Sequence, residues 1–236
     1  MNIYAIGDLH LSLNENIEKP MDVFGSEWEE HAHRLMEAWD STILEDDLVL
    51  ICGDISWALK LPEAMADLDY IHDRPGKKVL IKGNHDLWWT SIKRLNLLYE
   101  DLFFLQNDFY IYENVAICGS RGWTCPGNED FKAQDLKIYE RELLRLRMSL
   151  EAAALAGYGK GQEGKIIAMI HFPPTNDQLE ASGFTRIFEE FGVDIVVYGH
   201  LHGAENHRRS VKGIHNDVNY HLVAFDYLKG KPEKIL

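Results

Sequence analysis

Five short polar motifs punctuate the chain in a fixed order, each following an apolar run. Asp8-Leu9-His10 follows residues 3–6, and Gly53-Asp54 follows residues 48–52. Gly83-Asn84-His85-Asp86 comes after residues 79–81, His171 after residues 166–170, and Gly199-His200-Leu201-His202 after residues 195–198. Polar groups at the carboxyl ends of buried strands converge on one edge of a sheet. Taken alone, Asp8-Leu9-His10 and Gly53-Asp54 are weak, Gly83-Asn84-His85-Asp86 is stronger, and Gly199-His200-Leu201-His202 is moderately specific. Asp8 or Asp54 can cap the next turn, and a lone His171 suits a hydrogen-bonded core position. Together they gather carboxylate, amide and imidazole donors without a thiolate. That set suits two divalent ions such as Mn, Fe, Zn, Ni or Co, and speaks against a structural Cys-rich zinc site. In Gly199-His200-Leu201-His202 the two imidazoles are one residue apart, so on an extended segment they point the same way.

The elements needed to position these groups are legible from patterning. Apolar strand-like runs alternate with amphipathic stretches, the α/β pattern. Ser26 and Glu29 form an S-x-x-E capping box, which predicts a helix starting near Ser26 with Trp28, Ala32, Leu35, Trp39 and Ile43 on one face. Pro62 opens a second helix carrying Met65, Leu68 and Ile71. A third follows the Asn84 motif, with Ile92, Leu95 and Tyr99 on one side. Two or three short strands are expected over residues 103–120. A long helix then spans about residues 130–156, with Leu136, Tyr139, Leu143, Leu146 and Leu150 at three- and four-residue spacing. Packing on the body is its ordinary role; a homo-oligomer contact or a lid over the site is the alternative. Residues 157–164 read as a loop and residues 207–236 as further strands and turns.

Two further groups flank the motifs. Arg121, in Ser120-Arg121-Gly122-Trp123, ends another strand-like run. It either clamps a phosphate oxygen through its planar fork or pairs with a surface carboxylate. Trp57, Trp88, Trp89 and Trp123 lie beside motif loops. They either pack the strand ends, the favoured reading, or wall a pocket.

Composition narrows the class of protein. The chain has 236 residues, 46% of them hydrophobic, enough for a sizeable core. A single domain over residues 1–236 is expected, with a helical excursion at about residues 121–165. A net charge of −14 argues against a nucleic-acid-coating protein. No apolar run is long enough for a membrane helix, and no basic stretch precedes an apolar one at the N-terminus. Three cysteines, Cys52, Cys118 and Cys125, do not make a disulfide framework, so a cytoplasmic setting is expected.

The ordered set D-x-H, G-D, G-N-H-[DE], H and G-H-x-H resembles the calcineurin-like metallophosphoesterase superfamily, from residue 8 to residue 202. The resemblance implies a four-layer α/β/β/α sandwich with two mixed sheets. It implies that Asp8, His10 and His202 hold one metal, that Asn84, His171 and His200 hold the other, and that Asp54 bridges them. It further implies that His85 faces the substrate as a general acid, that Asp86 orients His85 through a hydrogen bond, and that Asn84 also touches substrate. Water held between the ions would then attack phosphorus. The expected substrate is a small-molecule phosphomonoester or phosphodiester. The Asp-Arg-Gly that protein phosphatases of this superfamily carry after the second motif is absent; Asp54 is followed by Ile55-Ser56-Trp57. A nuclease of the same fold, or a non-catalytic protein-binding scaffold, stands as the alternative. Complete ligands argue against the scaffold, and the lack of basic tracts against the nuclease.

Overall fold

A computed structural model describes all 236 residues. Two mixed sheets pack face to face. The first runs β11-β1-β2-β3-β4, built from β1 (Ile3–Ile6), β2 (Leu48–Ile51), β3 (Lys77–Leu80), β4 (Leu102–Phe104) and β11 (Glu233–Lys234). The second runs β5-β6-β7-β8-β10-β9, from β5 (Phe109–Tyr112), β6 (Val115–Ser120), β7 (Lys165–Ile170), β8 (Ile195–Tyr198), β9 (Gly213–His215) and β10 (Val218–Leu222). The central strands of each sheet are parallel, and β11, β5 and β9 close the margins antiparallel. Registers such as Ile6 opposite Ile51 and Ile51 opposite Leu80 bring the strand ends level.

The motif-bearing strands read as unbroken apolar runs because both of their faces are buried. Side chains alternate between faces. Tyr4 and Ile6 of β1 join an outer core with Leu35, Trp39, Leu68 and Ile71, while Ile3 and Ala5 face the second sheet. In β7, Ile166, Ala168 and Ile170 meet helices, and Ile167 and Met169 fill the layer between the sheets. Three apolar layers result, and with them the four-layer α/β/β/α sandwich. No helix is long and apolar enough to cross a membrane.

Helices cover the two outer faces. On the first sheet lie α1 (His31–Asp40), α2 (Leu61–His72) and the four-residue α3 (Ile92–Leu95). On the second lie α4 (Ala133–Leu155) and α5 (Gly183–Phe191), with α6 (Ala204–Arg208) in the loop after β8. The second helix and the long helix match their periodicity, and α4 buries Tyr139, Leu146 and Leu150 against the body. The first helix starts later than its capping box predicts. Ser26–Trp28 forms a separate 3-10 turn, and Glu30 enters the left-handed region at φ 48° before α1 begins. Trp28 nonetheless joins the same outer core as Leu35 and Trp39, where it stacks on Phe225 with 5.1 Å between ring centroids. The third helix stops at Leu95, with Tyr99 beyond it in irregular chain.

Helix α5 has no counterpart among the elements expected from sequence. Its cap fixes it locally: Ser182 Oγ accepts the Phe184 and Thr185 amides at 2.9 and 3.3 Å, and Thr185 Oγ1 accepts the Ser182 amide at 3.0 Å. Ser182 Oγ also donates to the Pro174 carbonyl at 2.6 Å, tying the helix to the loop after His171. Replacing Ser182 with Ala should cost about 1 kcal/mol. The urea midpoint should fall with an unchanged slope; an unaltered midpoint would remove the cap from the stability account.

Candidate metal centre

Each motif leaves the carboxyl end of a strand and turns at once. Asp8, His10, Asp54 and His200 all adopt left-handed backbone, with φ of 56°, 46°, 49° and 72°. Such conformations cost non-glycine residues roughly 1–2 kcal/mol each. They persist because hydrogen bonds over-determine the loops. The Asp8 amide donates to the Gly53 carbonyl and the His10 amide to the Asp54 carbonyl, both at 2.9 Å.

Two donor groups form. Ligand atoms of Asp8, His10 and His202 lie within 4.8 Å of one another, and so do those of Asp54, His171 and His200. In the first group His10 Nε2 is 3.3 Å from His202 Nε2, and His202 Nε2 is 3.8 Å from Asp8 Oδ1. In the second, His171 Nε2 is 3.3 Å from His200 Nδ1. Asn84 Oδ1 lies 2.8 and 3.0 Å from those same two nitrogens. The groups meet at Asp54, whose Oδ2 is 3.9 Å from His10 Nε2 and 3.4 Å from His171 Nε2. All seven ligand residues expected from sequence are therefore brought together.

The two glycines that precede Asn84 and His200 are required by space. A Cβ on Gly83 would lie 2.1 Å from Asp54 Oδ1, and one on Gly199 would lie 2.3 Å from Asp8 Oδ2. Each carboxylate occupies the room a methyl group would take. The same close approach lets the His85 amide donate to Asp54 Oδ1 at 2.8 Å and the His200 amide to Asp8 Oδ2 at 2.9 Å.

Protonation suits cation binding. Burial drives the His10 and His200 imidazoles down to about 3, outweighing the pull of Asp54 on each, so both carry free lone pairs at neutral pH. Burial raises Asp54, but the charge and hydrogen bond of His171 dominate and hold it well below the carboxylate range. Burial likewise pushes His171 down, yet Asp54 and Asp8 beside it lift it to about 9. The neighbouring carboxylates thus favour positive charge at the centre. Its Nδ1 donates to the Cys52 carbonyl at 2.9 Å, which leaves Nε2 to face the centre. Imidazole nitrogens and carboxylate oxygens gathered at 3.3–3.9 Å are a donor set that suits divalent cations, and the buried His10 Nδ1 has no partner of its own.

One expectation needs correction, and one residue sits apart from the ligands. Asp86 does not orient the His85 ring. Its carboxylate turns inward and accepts the amides of Ile55, Ser56 and Gly83 at 2.8, 3.2 and 2.7 Å, and the Trp88 indole N–H at 3.1 Å. It clamps the loop after Asp54 to the loop after β3, because four N–H donors converge there and outbid a single exposed ring. Arg121 does not line the cavity that holds the ligands; it lines a neighbouring one and stacks on Trp123, 4.5 Å from the ring centroid. The main ligand cavity, about 450 Å³, has Trp28 and Trp57 as an apolar wall. Trp57 stacks on His10 at 4.8 Å and sits 4.5 Å from the His85 ring, while Trp88 packs in the core as expected.

Sequence reasoning missed Asp226. It accepts from His202 Nδ1 at 3.0 Å and from the Gly203 amide at 2.9 Å. The signal was present: Asp226 follows the apolar run 222–225 after β10, as the other motifs follow theirs. Anions that anchor a ligating imidazole typically matter 10–100-fold to metal affinity. Replacing Asp226 with Asn should weaken one of two metal-binding steps by about that factor and spare the other; equal weakening of both would refute the assignment. Metal binding should also release the His171 proton. Affinity should climb as pH rises toward about 9, most steeply below about 6, where Asp8 must also lose a proton, and level off above 9. Calorimetry in buffers of different ionisation enthalpy reads the released proton, and a buffer-independent heat would contradict it.

Comparison with known proteins places this geometry. Residues 1–204 match the calcineurin-like phosphoesterase family. A gene 66 protein of Mycobacterium phage L5 is 41% identical over 85 residues, and that of phage D29 is 34% identical over 101. The matched stretches span 36% and 42% of this chain but only 40% and 48% of those relatives. The crystal structure of the protein of unknown function AQ665 from Aquifex aeolicus shares the fold, with a TM-score of 0.51 at 14% identity. That superposition covers 99% of this chain and 95% of the other. With the family matched across most of its length and the motif residues gathered at one sheet edge, the chain belongs to the calcineurin-like phosphoesterases.

Proposed function

We propose that the chain is a phosphohydrolase with a dinuclear metal centre that cleaves a phosphomonoester or phosphodiester of a small molecule. The position of Asp54 Oδ2 carries this reading: one carboxylate oxygen faces both donor groups, at 3.9 and 3.4 Å from their imidazoles. Asp8, His10 and His202 would hold one ion, Asn84, His171 and His200 the other, with Asp54 between. Bound there, two divalent ions supply Lewis acidity toward phosphate oxygens and lower the pKa of water enough for it to act as nucleophile at neutral pH.

The chain's own residues supply the rest. His85 is exposed at the mouth of the cavity, its backbone held by Asp54 and its ring against Trp57. Burial lowers its pKa, with Asp54 opposing. It donates a proton to the departing alkoxide. Trp28 and Trp57 shield one side of the cavity from water and offer flat apolar surface to the organic part of the ester. Asn84 fixes orientation through its amide. The buried free thiols Cys52, Cys118 and Cys125 support a reducing, cytoplasmic setting.

Asp54→Ala should abolish hydrolysis of p-nitrophenyl phosphate by the manganese-loaded chain, and chelation should do the same to the parent. Persisting activity in either would sink the metal-dependent reading. His85→Ala should lower kcat for an alkyl ester by about 10²–10⁴-fold while barely slowing a p-nitrophenyl ester, whose leaving group needs no proton. An equal loss on both substrates would deny His85 the acid role.

A further inference from the structure

A second cavity, about 310 Å³, opens beside the metal centre. It lies between the carboxyl end of β3 and that of β6, and α4 closes it. Lys82, Arg121, Arg141 and Arg145 line it together with one carboxylate, Glu142. Four cations against one anion is a concentrated positive field in a chain whose net charge is −14.

The lone carboxylate does not satisfy these cations. Glu142 is fully buried, and its Oε1 is shared by Arg145 at 2.8 Å, Arg141 at 3.5 Å and Arg121 at 3.7 Å. Only the first is a close contact. The buried Arg121 Nε has no hydrogen-bond partner, and neither has the indole N–H of Trp89, which lines the same cavity. Buried donors without acceptors are costly and uncommon. Here two of them, one cationic, belong to residues that line a predominantly positive cavity, where Glu142 Oε2 is also buried without a partner.

The cavity is joined to the metal centre through the backbone. Lys82 directly precedes Gly83, which packs on Asp54, and is two residues before Asn84. The Arg121 carbonyl accepts the amides of His171 and Phe172 at 3.0 and 3.2 Å. The cavity lining and the ligand loops are thus consecutive or directly hydrogen-bonded stretches of backbone.

We propose that this cavity binds a second phosphate of the substrate, remote from the one being hydrolysed. The preferred substrates are then bisphosphorylated small molecules, an inference that rests on the proposed phosphohydrolase chemistry. Arg141 and Arg145 select the substrate without touching the reacting phosphorus, while Arg121 and Lys82 sit nearest the ions. Glu142 holds the guanidinium groups in place and weakens the anion's binding by its own charge.

The opposed signs of Arg145 and Glu142 make the test. Steady-state kinetics of the manganese-loaded full chain compare adenosine 3′,5′-bisphosphate with adenosine 5′-monophosphate. The parent should show the lower KM for the bisphosphate. Arg145→Met should raise KM for the bisphosphate about tenfold more than for the monophosphate. Glu142→Gln should lower it. Equal shifts on both substrates, or both variants raising KM for the bisphosphate, would overturn the proposal, as expected if these residues serve only to pack α4. Calorimetric titration of the metal-stripped full chain with sodium pyrophosphate separates the cavity from the reaction. Binding that Arg145→Met weakens and Asp54→Ala retains supports the cavity even in a preparation that hydrolyses nothing, in which case the phosphohydrolase reading alone fails. Pyrophosphate binding of that kind in an enzyme that does not favour the bisphosphate would assign the cavity to a free anion and overturn the proposal.

Discussion

The centre depends on carboxylates packed against bare backbone. Asp54 sits on Gly83 and Asp8 on Gly199, each where a side chain would otherwise stand. These contacts cross from one strand end to another and set how closely the strand edges approach. They also solve an electrostatic problem. A buried carboxylate is costly unless paired. Here His171 and backbone amides supply the compensation before any cation arrives.

Rigidity follows from the same contacts. Left-handed backbone at Asp8, His10, Asp54 and His200 is locally unfavourable. It is held by loops that bond one another and by two inward-facing acids. Asp86 gathers the loop after Asp54, and Asp67 accepts the Leu13 amide at 2.8 Å and the Ser56 hydroxyl. The three apolar layers supply the stabilisation that such strained loops consume. Sites of this kind, mounted on packed strands, hold their geometry better than sites on free loops.

What was legible in the sequence follows a physical rule. Asp8, Asp54, Asn84, His171, His200 and His202 could be read because a polar residue after a doubly buried strand has few packing uses. Asp226 obeys the same rule, but it stands alone after its run, where no pattern of neighbours sets it apart. Asp86 was misjudged because sequence adjacency to His85 suggests contact, whereas its rotamer answers to amides three and more than thirty residues away. The start of α1 differs because the Ser26 box satisfies local capping rules, while the chain turns through left-handed backbone at Glu30 before the helix begins. Helix α5 was overlooked because Ser182-Gly183-Phe184 begins with a helix-weakening glycine. Glu142 gives no sign as a site residue, since a charge beside Glu140 and Arg141 on a long amphipathic helix reads as solvated until the fold buries it.

The first donor group joins residues 192 positions apart, His10 and His202, and Asp226 steadies the second of them. During synthesis the Asp8-Leu9-His10 segment leaves the ribosome long before those partners exist. An isolated Asp–His pair holds a divalent ion weakly, so the nascent chain passes through the cell's metal pool largely uncommitted. Capture waits for β8 and β10 to dock, by which time donor spacing is already fixed by packed strands. Any ion therefore meets donors whose spacing packed strands have already set.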